Sequence, residues 1–200
     1  LNGRALAFES IPDWRERRQR AHAVRADVID HLDKYLTQFI AKNEENGVIV
    51  HRAKNAAEAI QIILKISRDL PQSHRESQKE ISVHQRLSAS PILIAKSKSM
   101  VSEEIELNHA LEKENINVIE TDLGEYIVQL RHERPSHIIT PAVHLRKEQV
   151  GELFHEKFGI PYTTDIPTLT ATARKVLREI FLTADIGFSG VNFGVAETGT

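Results

Sequence analysis

The chain has 200 residues, of which 40% are apolar and 27% charged, proportions typical of a folded globular domain and not of a disordered or fibrous chain. Lysine and arginine (26) nearly balance aspartate and glutamate (28), so the formal charge of −2 creates no basic field that would favour nucleic acid or an anionic membrane. The absence of cysteine excludes disulfides, thiol nucleophiles and thiolate-bound metal clusters within these residues.

Two features of the whole chain concern its location and its ends. No apolar run approaches the roughly 18–20 residues that span a bilayer, and no signal peptide opens the chain, so we expect a cytoplasmic protein. The chain starts at Leu1 and stops at Thr200, directly after an apolar, strand-like stretch. We therefore expect a fragment of a longer polypeptide whose α/β domain is incomplete at the C-terminus.

The first 46 residues predict an N-terminal helical arm. Ser10 and Pro12 form a helix-start signal, and apolar residues from Val24 to Ile40 recur at helical spacing up to the stop at Gly47. The pattern predicts one long amphipathic helix. Its five arginines between positions 15 and 25 lack interleaved aromatic residues, which favours a solvated helix face over a nucleic-acid surface.

Residues 47–200 predict an α/β domain in which short apolar strands alternate with amphipathic helices. Val48–Val50 is predicted to be a strand, and Asn55 is predicted to cap a helix that runs to Ser67. The polar stretch 71–90 has few apolar residues and predicts a flexible surface insertion.

The alternation continues to the end of the chain. It predicts strands at 91–95, 117–119 and 137–139, and helices at 102–111, 124–132, 146–158 and 168–182. The glycine-rich segment 184–198 predicts two strands joined at Ser189-Gly190. Short apolar strands separated by helices indicate an α/β fold, with a mostly parallel sheet flanked by helices.

Polar residues follow three of the predicted strands. Ligands of open α/β sheets bind beyond the carboxyl ends of the strands, so Lys96–Ser99, Glu120–Glu125 and Thr140–His144 are expected at one rim. The first loop offers ammonium and hydroxyl donors suited to a carboxylate or phosphate, and the second offers carboxylates. A simpler reading stays open, in which the lysines are solvated and Asp122 merely caps a helix.

The candidate site gathers residues from these loops and from the end of the chain. The candidate catalytic bases are Glu125 and Glu197, and the candidate ligand-binding residues are Lys96, Lys98, Ser99, Asp122, Gly124, His144, Asn192, Thr198 and Gly199. The ten histidines show no paired metal-ligand spacing, so no metal site is predicted. The glycine motifs of nicotinamide-binding, P-loop and serine-hydrolase proteins are absent from the sequence.

Four ordered motifs carry a family resemblance. They are Lys96-Ser97-Lys98-Ser99-Met100, the segment from Val118 to Ile127 with its Glu-Thr-Asp-Leu-Gly-Glu, the segment from Pro135 to His144, and Ala184-Asp185-Ile186-Gly187 with Asn192 and the terminal Ala-Glu-Thr-Gly-Thr. In these motifs the chain resembles the lactate-utilisation (LUD) domain family, most closely the N-terminal domain of its iron–sulfur subunits. The stretch 71–90 is longer than the family pattern, and Ser189 stands where the family usually has threonine.

The resemblance implies a fold similar to that of the sugar-phosphate isomerases and coenzyme A transferases. It implies a place in a complex that oxidises L-lactate to pyruvate without nicotinamide, with other lactate-utilisation subunits as partners. Its [4Fe-4S] clusters would be bound by cysteines C-terminal to this chain, leaving here a cluster-free domain that binds a small organic acid or partner subunits. We expect such a domain to be inactive alone. The alternatives are a scaffold, or a free-standing isomerase- or transferase-like enzyme for an anionic substrate, with Glu125 or Glu197 as base and Lys98 as anchor.

Overall fold

The computed structural model describes residues 2–69, 92–137 and 139–200, and these divide into two compact units. The helical unit comprises Leu1–His51 and Val191–Thr200, and the α/β unit comprises Arg52–Gly190. The helical unit contains α1 (Asn2–Glu9), α2 (Trp14–Asp30) and α3 (Leu32–Glu45). Within the described ranges, no helix is both long and apolar enough to cross a membrane.

The α/β unit alternates helices with three described strands. In chain order it contains α4 (Ala56–Arg68), β1 (Leu93–Lys96), α5 (Met100–Glu104), α6 (Leu107–Lys113), β2 (Asn117–Glu120), α7 (Leu123–Leu130), α8 (Lys147–Phe158), α9 (Ile166–Thr183) and β3 (Ile186–Phe188). The strand order is β2-β1-β3, and both neighbours of β1 run parallel to it. The α/β fold with a parallel sheet, predicted from the alternation of elements, is confirmed.

Alternate residues of the strands enter two apolar clusters, one on each face of the sheet. Ile94 and Val118 are buried with Leu64 of α4 and with α6. Ala95 and Ile119 are buried on the other face with Tyr126 of α7 and with α9. Because both faces are covered by helices, β1 and β2 read as nearly continuous apolar runs.

Local sequence signals account for several helix boundaries. Asn55 accepts a hydrogen bond from the backbone N–H of Glu58 and caps α4, as predicted. Asp165 caps α9 in the same way, so this helix begins two residues before the predicted start.

The predicted helix 102–111 is wrong in two respects. Ser99, and not Ser102, caps the first turn, so α5 begins at Met100. The segment is also divided into α5 and α6, because Glu106 has a φ of 53° in the left-handed region and the helical ladder cannot continue through it.

The single long helix predicted in the arm is likewise divided. α2 ends at Asp30, and His31, with φ −125° and ψ 37°, separates it from α3. A further helix, α1, precedes the predicted start at Ser10. The helical spacing of apolar residues continues from α2 into α3, because this spacing indicates which face of a helix is apolar and not where the helix is interrupted.

Two predicted strands, at 48–50 and 137–139, differ from the structure. Val48–Val50 is not a strand, and Ile49 is 80% exposed, so three apolar residues here form a linker and not a sheet edge. His137 and Ile139 lie in bends, and Ile138 lies outside the described residues.

The terminal hairpin is also wrong. β3 ends at Phe188 after pairing in parallel with β1, and the residues after Gly190 form bends and turns that belong to the helical unit. Small and polar residues around glycine suit turns as well as hairpins, which explains the error. The predicted flexible insertion 71–90 lies outside the described residues.

Candidate functional site

A buried ion pair joins the carboxyl ends of β1 and β2. Lys96 and Glu120 are register partners, and the Lys96 Nζ lies 2.6 Å from the Glu120 Oε1. Their side chains are only 1% and 6% exposed, and the Asn108 side-chain amide donates to the same glutamate oxygen at 2.7 Å. The Lys96 ammonium, which the sequence suggested as an anion donor, is therefore held inside the unit by Glu120.

The second lysine of the loop lies beside the predicted base. The Lys98 Nζ is 3.1 Å from the Glu125 Oε1 and donates a hydrogen bond to the Ile139 carbonyl at 3.2 Å. The Lys98 side chain is 25% exposed, whereas Glu125 is 5% exposed. An ammonium has three N–H donors, and of these two contacts only the one to Ile139 has hydrogen-bond geometry, so Lys98 keeps donors for a ligand.

Hydroxyl groups flank Lys98 along the chain. The Ser97 hydroxyl donates to the Ser189 hydroxyl at 3.2 Å, which links the loop after β1 to the residue after β3. Close packing supports this link, since a Cβ on Gly190 would lie 3.3 Å from the Ser99 side chain. Ser99 itself is engaged as the cap of α5.

Two predicted site residues in the next loop have structural partners. The Asp122 carboxylate accepts hydrogen bonds from the backbone N–H groups of Gly124 and Glu125 and so caps α7. A Cβ on Gly124 would lie 2.9 Å from the Pro141 ring, so glycine allows the two loops to approach each other. The simpler reading of Asp122, a helix cap, is the one that the structure shows.

His144 takes part in a network that closes its own loop. Its Nε2 lies 2.9 Å from the Glu133 carboxylate, and its Nδ1 lies 2.8 Å from the Ser136 hydroxyl. The Ser136 hydroxyl donates to the Pro141 carbonyl, and Arg131 also pairs with Glu133. The Arg131 hydrogen bond, followed by that of His144, holds the pKa of Glu133 below its ordinary value.

The remaining candidates belong to the helical unit, where the terminal segment contacts α3. The Thr198 carbonyl accepts a hydrogen bond from the Asn46 side chain at 2.8 Å. Gly199 has a φ of 73°, and a Cβ there would lie 2.8 Å from the Lys42 backbone carbon. Glu197 adds to the rise in the pKa of Tyr35, whose main cause is its hydrogen bond to Asp27. Asn192 lies in a bend of the same unit.

Two glutamates outside the predicted set of site residues complete the group around the lysines: Glu120, which the sequence placed at the rim, and Glu103, which it did not. Glu120 pairs with Lys96, and Glu103 of α5 has a raised pKa, chiefly because of burial and then because of the charge on Glu125. The one available signal was that two adjacent strands end in lysine and glutamate. No local pattern reveals that Glu103 faces the same group.

The donor set does not suit an iron–sulfur cluster. The chain has no cysteine, and among the described residues no three histidine, aspartate or glutamate side chains are grouped to hold a metal ion.

Comparisons with known proteins identify the family. The LUD domain family model matches residues 36–200. The chain is 41% identical over 198 residues to lactate utilization protein B of Bacillus subtilis (strain 168) and 40% identical over 198 residues to that of Bacillus pumilus (strain SAFR-032). It is 39% identical over 197 residues to the uncharacterized electron transport protein YkgF of Escherichia coli (strain K12).

The three alignments each cover 98% of this chain but only 37–38% of the relative. No solved structure gives a significant match. The family match confirms the resemblance seen in the sequence. The chain belongs to the LUD domain family.

Proposed function

We propose that this chain is the cluster-free domain of a lactate-utilisation protein and that it binds a small organic acid, L-lactate or pyruvate, at Lys98. The observation that carries the proposal is the position of the Lys98 ammonium. It lies just beyond the carboxyl end of β1, partly exposed and paired with Glu125, and its hydrogen bond to the Ile139 carbonyl leaves N–H donors for a ligand.

The surroundings of Lys98 suit a carboxylate ligand. The Ser97 and Ser189 hydroxyls lie beside the same strand ends, and they would donate to a second carboxylate oxygen by turning from their present acceptors, the Ser189 hydroxyl and the Gly190 carbonyl. Glu125 fixes the lysine side chain, so little rotamer freedom is lost when an anion binds. The names of the relatives, lactate utilization protein B, support an organic acid as the ligand class.

The role in electron transfer belongs to the whole polypeptide. We propose that clusters bound C-terminal to this chain carry the electrons and that other lactate-utilisation subunits dock onto the protein. The name of one relative, an uncharacterized electron transport protein, supports a role in electron transfer for the whole polypeptide. The domain by itself is then expected to bind the acid without oxidising it.

Calorimetric titration of Lys98→Ala tests the proposed anion site. We expect L-lactate and pyruvate to bind the variant about 10–100-fold more weakly, because one charge-assisted hydrogen bond contributes roughly 1.5–3 kcal/mol. Lys175→Ala, which removes an exposed lysine of α9, is the matched control and should bind both acids normally.

Removal of Lys98 also deprives the buried Glu125 of its cation, so folding needs a separate control. The double variant Lys98→Met/Glu125→Gln removes both charges, and it should stay folded and still fail to bind. Equal affinity of wild type and Lys98→Ala would refute the site. Turnover of an organic acid by the purified chain would instead favour the free-standing enzyme with Glu125 as base.

A further inference from the structure

An acidic cleft of about 610 Å³ opens beside the buried ion pair. It is lined by residues of α5, α6, the end of β2, α7 and the loop after α7. Six glutamates face it, namely Glu103, Glu106, Glu112, Glu120, Glu125 and Glu133. Among the described residues that line it, Arg134 is the only lysine or arginine, so its lining is mainly acidic, although Glu120, Glu125 and Glu133 pair with cations that do not line it.

Buried acceptor atoms in this cleft lack donors. The Glu120 Oε2, the Glu103 Oε1 and the Asn108 Oδ1 are buried and accept no hydrogen bond from the residues that the structure describes, and the Glu120 side chain is only 6% exposed. The Glu125 Oε1 also accepts none, since Lys98 lies near it without hydrogen-bond geometry. Buried acceptors without donors are costly, and these four come from four separate elements around one space.

The three glutamates at the centre of the cleft carry more charge than the lysines that pair with them. The carboxylates of Glu103, Glu120 and Glu125 interact with two ammonium groups, those of Lys96 and Lys98. One negative charge remains uncompensated on the side of Glu103. A ligand that completes the group must therefore be positive and must donate several hydrogen bonds.

We infer that the acidic cleft binds a small organic cation through a protonated amine or guanidine group. Such a group carries one positive charge and several N–H donors, which match the acceptors of Glu103, Glu120 and Asn108. A bare metal ion fits less well, since no three metal-ligating side chains are grouped among the described residues. The two sites can be tested separately, because Lys98 pairs with Glu125 but does not itself line the cleft.

Titration of methylguanidine and ethylammonium into wild type and Glu103→Gln tests this inference. Glu103 is the suitable residue because it makes no ion pair that holds the fold, whereas Glu120 does. We expect wild type to bind at least one of the two cations and Glu103→Gln to bind it about tenfold or more weakly. Glu104→Gln, an exposed neighbour on α5 that does not line the cleft, should bind like wild type.

Tetramethylammonium separates hydrogen-bonded recognition from general attraction, because it carries the same charge without an N–H donor. Equal binding of tetramethylammonium, or equal binding by Glu103→Gln, would overturn the inference. The Lys98→Ala variant should bind the cation at least as tightly as wild type, because it removes the positive charge beside Glu125, so loss of the organic-acid site and loss of the cation site are distinguishable.

The stability of the free protein supplies a second readout. Burial, followed by the charge of Glu125, raises the pKa of Glu103; Glu120 adds to the rise, and Lys96 and Lys98 oppose it. A raised pKa means that ionisation of Glu103 destabilises the fold. Glu103→Gln should therefore unfold at a higher temperature than wild type at neutral pH, and the difference should shrink as the pH falls towards 4.5. If this pH dependence is seen but neither cation binds, a proton alone completes the group and the inference is wrong.

Discussion

Lys96→Met is expected to reduce the free energy of unfolding by about 3–5 kcal/mol, which is typical of breaking a buried ion pair by removing one partner. The variant keeps the length of the side chain but leaves the Glu120 carboxylate buried without its cation. Asn108 still donates to one oxygen of Glu120, but it carries no charge. Urea denaturation of the two proteins, followed by circular dichroism, measures the difference.

The double variant Lys96→Met/Glu120→Gln is the control for this prediction. It removes both charges while a neutral amide can still hydrogen bond to Asn108, so it should recover most of the lost stability. A loss below about 1 kcal/mol in Lys96→Met would instead match an exposed pair and would contradict the buried ion pair.

Gly151→Ala is expected to destabilise the α/β unit by about 2 kcal/mol or more. Alanine usually favours a helix over glycine by about 1 kcal/mol, so propensity alone predicts the opposite sign. However, a Cβ on Gly151 would lie 2.2 Å from the Thr163 carbonyl oxygen, and neither backbone can yield cheaply. Thermal or urea unfolding measures the change.

Gly187→Ala serves as the matched control for Gly151→Ala. A Cβ on Gly187, in β3, meets nothing within 4 Å, so this variant should unfold at nearly the wild-type temperature. If Gly151→Ala is as stable as Gly187→Ala, the close contact between α8 and the Thr163 backbone does not exist.

The parts of the fold that could be predicted are those with local signals. β1 and β2 have apolar centres, Leu93–Ala95 and Val118-Ile119, between polar residues, and Asn55 caps α4. Two helices were wrongly predicted as continuous, because the pattern of apolar residues does not show where a helix is interrupted. Glu106 adopts a left-handed conformation that favours glycine, and the apolar residues continue on both sides of it.

The candidate site was predictable to a similar extent. The rule that ligand sites lie at the carboxyl ends of parallel strands led to Lys98 and Glu125, and the structure places their charged groups 3.1 Å apart. The burial of Lys96 could not be predicted, because it depends on the register between β1 and β2. The position of Glu103 depends in the same way on how α5 packs, which no short sequence motif records.

Nuclear magnetic resonance of isotope-labelled lysine side chains tests the anion site most directly. Titration with L-lactate should shift the Lys98 ammonium signal in a saturable manner, because this group has an N–H donor available to the ligand. The Lys96 ammonium is buried against Glu120, so its signal should not shift, and it provides an internal control. A Lys98 signal that stays unchanged while lactate binds would contradict the account.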